Sequence, residues 1–212
     1  MHPYAAQDSL FEELAPFPQG FVYRPHFITE EEEKEMLEWF TDLPFEHGRL
    51  GEYFAKRRVV GFGYGYDFRE HRIVPGPPLP PFLIPFARKV AKWLDIPKTR
   101  IVEALITEYP KGAGIGWHRD NESFEHVVGV SLGGAARLRL RPSSWKLFGR
   151  RRTREDSTEL MLLPRSAYLL SNESRWRFQH SIASVPALRY SITFRTLPRG
   201  YPLPKRTRRS FT

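Results

Sequence analysis

The chain has 212 residues, 41% hydrophobic and 27% charged, the balance of an ordinary globular protein with room for one well-packed domain. It has no cysteine, which excludes disulfide scaffolds, thiolate zinc sites and cysteine nucleophiles. No run reaches the ~20 apolar residues of a membrane helix and no secretory signal opens the chain, so a cytoplasmic protein is expected. Its formal charge of +9 suits a polyanionic partner such as nucleic acid, and equally a soluble basic protein without one.

Residues 1–25, punctuated by Pro16, Pro18 and Pro25, read as an extended, partly tethered N-terminal arm. Thr29 stands three residues before Glu32, the spacing of a capping box, and the run Glu30 to Glu33 suits the positive end of a helix. That helix buries Met36, Leu37 and Phe40. Residues 57–68, RRVVGFGYGYDF, read as a strand or hairpin. Alternation places Phe62, Tyr64, Tyr66 and Phe68 on one face, either a substrate lid or a buried sheet face. The five prolines between 75 and 81 require extended chain. They lead into a second helix over 82–95, with Phe86, Val90 and Leu94 on one side. From residue 101 the pattern changes to short strands: IVEALITEY, VVGVSL, ARLRLR, ELMLLP, SAYLL and RYSITFRTL. The expected fold is therefore α+β, two helices followed by an antiparallel sandwich or jelly roll. A basic tail spans 201–212.

The chemistry concentrates in three places. His118 and Asp120 form H-x-D in GIGWHRDNE. If that segment is a strand, both side chains face one centre, and Glu122 joins them. His180 follows in RFQHSI. Two histidines and one carboxylate are the facial triad of non-haem Fe(II) oxygenases, which leaves positions open on the metal. In RYSITFR, alternation puts Arg189, Ser191, Thr193 and Arg195 on one face and Tyr190, Ile192 and Phe194 on the other. Two arginines beside two hydroxyls suit a carboxylate ligand, and equally a solvated face.

Taken together, YPKGAGIGWHRDNE, HSI and RYSITFR resemble the AlkB family of Fe(II)/2-oxoglutarate dioxygenases, in the same order, over residues 57–197. The resemblance implies a double-stranded β-helix (jelly-roll) core over 101–197, with the N-terminal helices packed on one sheet. The dioxygenase domain would occupy 26–200, with 57–68 as its substrate lid. His118, Asp120 and His180 would hold Fe(II). Arg189 would bind the distal carboxylate of 2-oxoglutarate, supported by Tyr109. Arg195 would share that ligand only if the strand curves, because six residues of strand separate the two arginines by ~20 Å of backbone. Two family asparagines are replaced here by Thr107 and Ser191, which shortens two hydrogen-bonding groups in the co-substrate site.

The implied reaction consumes O₂ and 2-oxoglutarate, removes an N-methyl group from a nucleic-acid base, and releases formaldehyde, succinate and CO₂. The alternatives are the same oxygenase acting on a protein side chain and a non-catalytic binder of modified nucleic acid. Tyr64 and Tyr66 are expected in the lid, with Phe62 and Phe68 packing. Glu122 is expected near the base or in solvent. The basic run Arg137, Arg139, Arg141, Lys146, Arg150, Arg151, Arg152 and Arg154 is expected to meet phosphates, with its second half, from Arg150 on, in a loop. His126 is expected to be structural or exposed.

Overall fold

The computed structural model describes residues 17–50, 53–143, 146–147, 150–151 and 157–204. Strand β1 is Phe21–Arg24, helix α1 is Glu30–Phe40, and strands β2, β3 and β4 are Glu46–Leu50, Tyr53–Asp67 and Arg72–Pro75. Helix α2 is Ile84–Trp93, entered through a 3₁₀ turn at Pro81–Leu83. Strands β5, β6, β7 and β8 follow at Ile101–Tyr109, Ile115–His118, Val127–Gly133 and Ala136–Pro142. A short hairpin pairs β9, Lys146–Leu147, with β10, Arg150–Arg151. Strands β11 and β12 are Thr158–Leu162 and Ala167–Leu170, helix α3 is Asn172–Trp176, and strands β13 and β14 are Phe178–Ile182 and Arg189–Thr196.

Two antiparallel sheets form the body. The large one runs β1-β12-β7-β14-β5-β3-β2, with β4 added to β3, and the small one runs β11-β8-β13-β6. This is the expected α+β jelly roll. The strand β14 lies at the centre of the large sheet, bonded to β5 on one side and β7 on the other. Its alternation separates two environments. Ile192 and Phe194 join a core with Ile106, Val128 and Val130, while Arg189, Ser191, Thr193 and Arg195 face a cavity between the sheets.

Both N-terminal helices cover the outer face of the large sheet through Met36, Phe40, Phe86, Ala87 and Val90. The capping box of α1 is present: the Thr29 side chain accepts from the Glu32 N–H, and the Glu32 carboxylate accepts from the Thr29 N–H. Helix α2 starts two residues later than expected because Phe82 and Leu83 belong to the 3₁₀ turn. Pro85 lies in its first turn, where its missing N–H breaks no bond.

One expectation is given its place and two change. The N-terminal arm, expected to be extended and partly tethered, is tied down as a sheet edge where β1 pairs with β12. Arg150 and Arg151 belong to a hairpin strand, not a loop, while Arg152, Arg154, residues 1–16 and the tail from 205 lie outside the described residues. The aromatic set of β3 does not share one face. Gly63 adopts φ of +91° and lies against the Val102 carbonyl, where any side chain would collide. Alternation is interrupted there, as at a bulge. Phe62 packs in the large core, whereas Tyr64 and Tyr66 pack around Ile73, Val102, Phe124 and Leu197.

Thr29→Ala is expected to lower unfolding free energy by about 1 kcal/mol through loss of the cap. Phe194→Ala, which empties the large core, should cost about 3–5 kcal/mol. Urea denaturation followed by circular dichroism would measure both.

Candidate active site

The small sheet brings two histidines together. His118 ends β6 and His180 sits in β13, and the two are direct cross-strand partners. Their rings lie 4.2 Å apart. Nδ1 of His118 is 2.9 Å from the Gly116 carbonyl. A carbonyl only accepts, so Nδ1 carries the proton and Nε2 keeps its lone pair. His180 Nε2 lies 3.4 Å from Asp120 Oδ2. Donor atoms of His118, Asp120 and His180 all fall within 4.8 Å of one another.

The sequence reading that H-x-D-x-E lies on one strand face is corrected here. Strand β6 stops at His118, and Asp120 stands in the loop that follows. Its side chain turns inward because Arg195 captures it. Nε and Nη2 of Arg195 donate to Asp120 Oδ1 at 2.8 and 2.5 Å, and Nη1 donates to Glu103 Oε2 at 2.5 Å. Glu122, beyond the turn, is exposed and does not line the cavity.

The electrostatics favour ligand-ready forms. Burial pushes His180 down to about 3, only partly opposed by Asp120, so its imidazole is neutral near pH 7. Burial alone would raise the Asp120 carboxyl, but Arg195, followed by both histidines and Arg175, holds it well below the usual carboxylate range. Asp120 Oδ2 is buried and has no hydrogen-bond partner among the described residues. A neutral His180 imidazole and the Nε2 of His118, beside an ionised, orphaned carboxylate oxygen, are the donor set a divalent ion such as Fe(II) takes.

The co-substrate candidates line the same cavity, whose volume is about 430 Å³. Arg189 pairs with Tyr109 across β14 and β5, and Ser191 pairs with Thr107 one step along. Arg189 is 1% exposed. Its guanidinium lies 4.8 Å over the Tyr109 ring, and its Nε donates to Ser131 Oγ at 3.2 Å. Its Nη1 is buried without a partner among the described residues. A buried cation left half-satisfied fits an incoming carboxylate, so the residues present suit 2-oxoglutarate. Arg195 sits at the opposite, metal end, with three of its N–H groups committed to Asp120 and Glu103.

The other expected contacts divide. Tyr66 lines the cavity and meets Phe68 edge-on at 5.0 Å. Phe68 lines it too and is 75% exposed, whereas Tyr64 lies in the adjoining apolar cluster. Arg137, Arg139 and Arg141 stand on the outer face of the small sheet and do not line the cavity. Arg137 pairs with Glu159. Arg139 and Arg141 flank the Trp117 ring at 5.0 and 4.2 Å and donate to Ser181 and Gln179. Strand alternation dictates this, because Leu138 and Leu140 point inward. His126 is a structural residue whose Nδ1 is 3.0 Å from Thr196 Oγ1.

Several cavity residues escaped the sequence reading. Arg57, Arg119 and Asn121 join Phe68 in the lining, and Glu103 sits below Arg195. Arg175, 3% exposed, uses Nη2 to bond the Asn121 and Phe124 carbonyls at 2.5 and 2.8 Å, clamping the loop that carries Asp120. The arginine spacing gave no signal for this, since the partners are backbone atoms over 50 residues away.

A His–Asp–His set between two jelly-roll sheets, beside a buried arginine, defines a non-haem iron oxygenase. Residues 20–195 match the 2OG-Fe(II) oxygenase superfamily, and the chain belongs to that family as an AlkB-like dioxygenase that uses Fe(II), 2-oxoglutarate and O₂. It is 28% identical over 178 residues to the mouse tRNA (carboxymethyluridine(34)-5-O)-methyltransferase ALKBH8, covering 80% of this chain and 25% of that protein. It is 27% identical over 180 residues to the Arabidopsis thaliana Alkylated DNA repair protein ALKBH8 homolog, covering 77% and 50%. The chain thus spans half or less of these relatives. The solved structure of OsALKBH1 shares the fold, with a TM-score of 0.62 at 14% identity, over 85% of this chain and 99% of that one. No helix among the described residues is long and apolar enough to cross a membrane.

Two outcomes follow. Arg175→Ala should weaken Mn(II) binding about ten- to a hundredfold by freeing the Asp120 loop, as loss of an outer-shell partner does, measured by calorimetry without substrate. In chelator, the folded state refuses the His180 proton that the unfolded chain accepts. Stability should therefore fall as pH drops from about 6.5 towards about 3. The slope of that fall, read by urea denaturation, should be reduced in His180→Gln.

Proposed function

We propose that this dioxygenase removes N-alkyl groups from nucleic-acid bases, acting in the cytoplasm. The observation that carries the reading is the cavity mouth. Arg57 and Arg119 line it beside Tyr66 and the exposed ring of Phe68, and neither arginine has a carboxylate partner among the described residues. Cations that receive phosphates, next to aromatic faces that stack on a base, are what a flipped or single-stranded nucleotide requires.

Fe(II), 2-oxoglutarate and O₂ together supply the oxidising power to hydroxylate an N-methyl carbon. Each turnover replaces N–CH₃ by N–H and yields formaldehyde, succinate and CO₂. His118, Asp120 and His180 hold the metal. Arg189, stacked on Tyr109, takes the far carboxylate, with Ser191 and Thr107 beside it. Tyr66 and Phe68 hold the base, and Arg57 and Arg119 meet its flanking phosphates. Arg137, Arg139 and Arg141 extend the positive charge to the outside of the small sheet, where they would meet a longer strand and not the base.

The test is succinate formation and methyl loss, followed by mass spectrometry, with N1-methyladenine or N3-methylcytosine in DNA and RNA oligonucleotides. Substrate-stimulated succinate with demethylation is expected, and His118→Ala should abolish both. Succinate uncoupled from demethylation of every oligonucleotide would favour a protein substrate. No succinate from iron-loaded protein would favour a non-catalytic binder. Arg57→Gln with Arg119→Gln should raise the oligonucleotide KM and flatten its salt dependence by about two phosphate contacts, leaving Fe(II) affinity unchanged.

A further inference from the structure

Tyr168 lies on β12, next to the edge of the large sheet, yet it lines the central cavity. Its route is set by Gly129, its direct cross-strand partner on β7. A methyl group at position 129 would fall 2.3 Å from Tyr168 Cε1, 2.5 Å from Cζ and 2.7 Å from the hydroxyl oxygen. The phenol ring therefore lies flat across β7 over the missing side chain, directed towards Thr193, the next residue in the same row on β14. The far side of the ring stacks on Phe21 of β1, with centroids 6.5 Å apart and planes 20° from parallel.

The hydroxyl that this arrangement delivers is unused. Tyr168 is 7% exposed, and its hydroxyl makes no hydrogen bond among the described residues. Its row lies between the two charged ends of the cavity. The Arg189 guanidinium reaches Ser131 in the neighbouring row, ~7 Å along the strands. Arg195 and Asp120 lie on the other side. A phenol O–H that lines a cavity and has no partner among the described residues is free to donate to a ligand there.

We propose that Tyr168 is a co-substrate-binding residue, its phenol O–H donating to a carboxylate oxygen of 2-oxoglutarate held between Arg189 and the iron ligands, with Gly129 as the notch that admits the ring. The proposal rests on the oxygenase assignment and adds to the Arg189 anchor a donor from a different strand. It also makes residues 129 and 168 a matched pair: a side chain at 129 and a tyrosine at 168 exclude one another.

The experiment is an anaerobic calorimetric titration of 2-oxoglutarate into Mn(II)-loaded wild-type and Tyr168→Phe protein, with no turnover. Phenylalanine keeps the ring, its stack on Phe21 and its fit over Gly129, so the fold is preserved and a thermal melt should not change. The expected result is a 2-oxoglutarate Kd raised about tenfold at unchanged Mn(II) affinity. Gly129→Ala, which displaces the ring, should raise that Kd at least as much. An unchanged Kd in Tyr168→Phe would overturn the proposal and leave the oxygenase assignment standing. Failure of the wild-type, metal-loaded protein to bind 2-oxoglutarate would overturn both.

Discussion

The site depends on one buried ion pair. Asp120 lies in a loop, where nothing in the backbone fixes its direction, and the Arg195 guanidinium draws it beneath the histidines. The pairing binds one carboxylate oxygen twice and leaves the other free. It also ties the small sheet's loop to the large sheet's central strand. A carboxylate this deep is expensive without a cation, and Arg195 answers it and Glu103 at once. Burial pushes the Glu103 carboxyl up against the pull of Arg195, so the guanidinium is shared between two acids, of which Asp120 is the more firmly ionised.

The two sheets divide the chemistry. The small sheet aligns the histidines by register, as partners on β6 and β13. The large sheet supplies ordered rows across β5, β14 and β7: arginine and tyrosine, then the hydroxyls, then Arg195 and Glu103. Its other face is packed by α1 and α2, which holds those rows in place. A cofactor pocket assembled from regular strands needs little from its loops except the Asp120 turn, and Arg175 clamps that turn.

Much of this was legible in the sequence because strand alternation is local. The face of RYSITFR that carries Arg189, Ser191, Thr193 and Arg195 follows from period two, and the structure obeys it. The α1 cap follows from Thr29 and Glu32 for the same reason. The reading failed where periodicity was extended past an element's end. It carried β6 through Asp120 to Glu122, although the strand stops at His118. It carried one face through Gly63, although positive φ breaks the alternation there and sends Phe62 into the large core while Tyr64 and Tyr66 pack in another cluster. The destination of Arg195 and the clamp by Arg175 were not legible at all, because each joins partners 50 or more residues apart through a side chain of long reach.

Gly63 has a further consequence. Before it, β3 is bonded to β5, within the sheet that carries the co-substrate row; after it, the same strand is bonded to β4 and belongs to a separate hairpin. The hairpin proposed to meet the substrate is thus hydrogen-bonded apart from the sheet that carries the arginine rows, although a single strand supplies part of both. Residues 64–75 carry no iron ligand and no member of the arginine rows, though Tyr64, Tyr66 and Ile73 pack on Val102 and Phe124. Gly63 is the seam between the two, the point at which one strand changes partners.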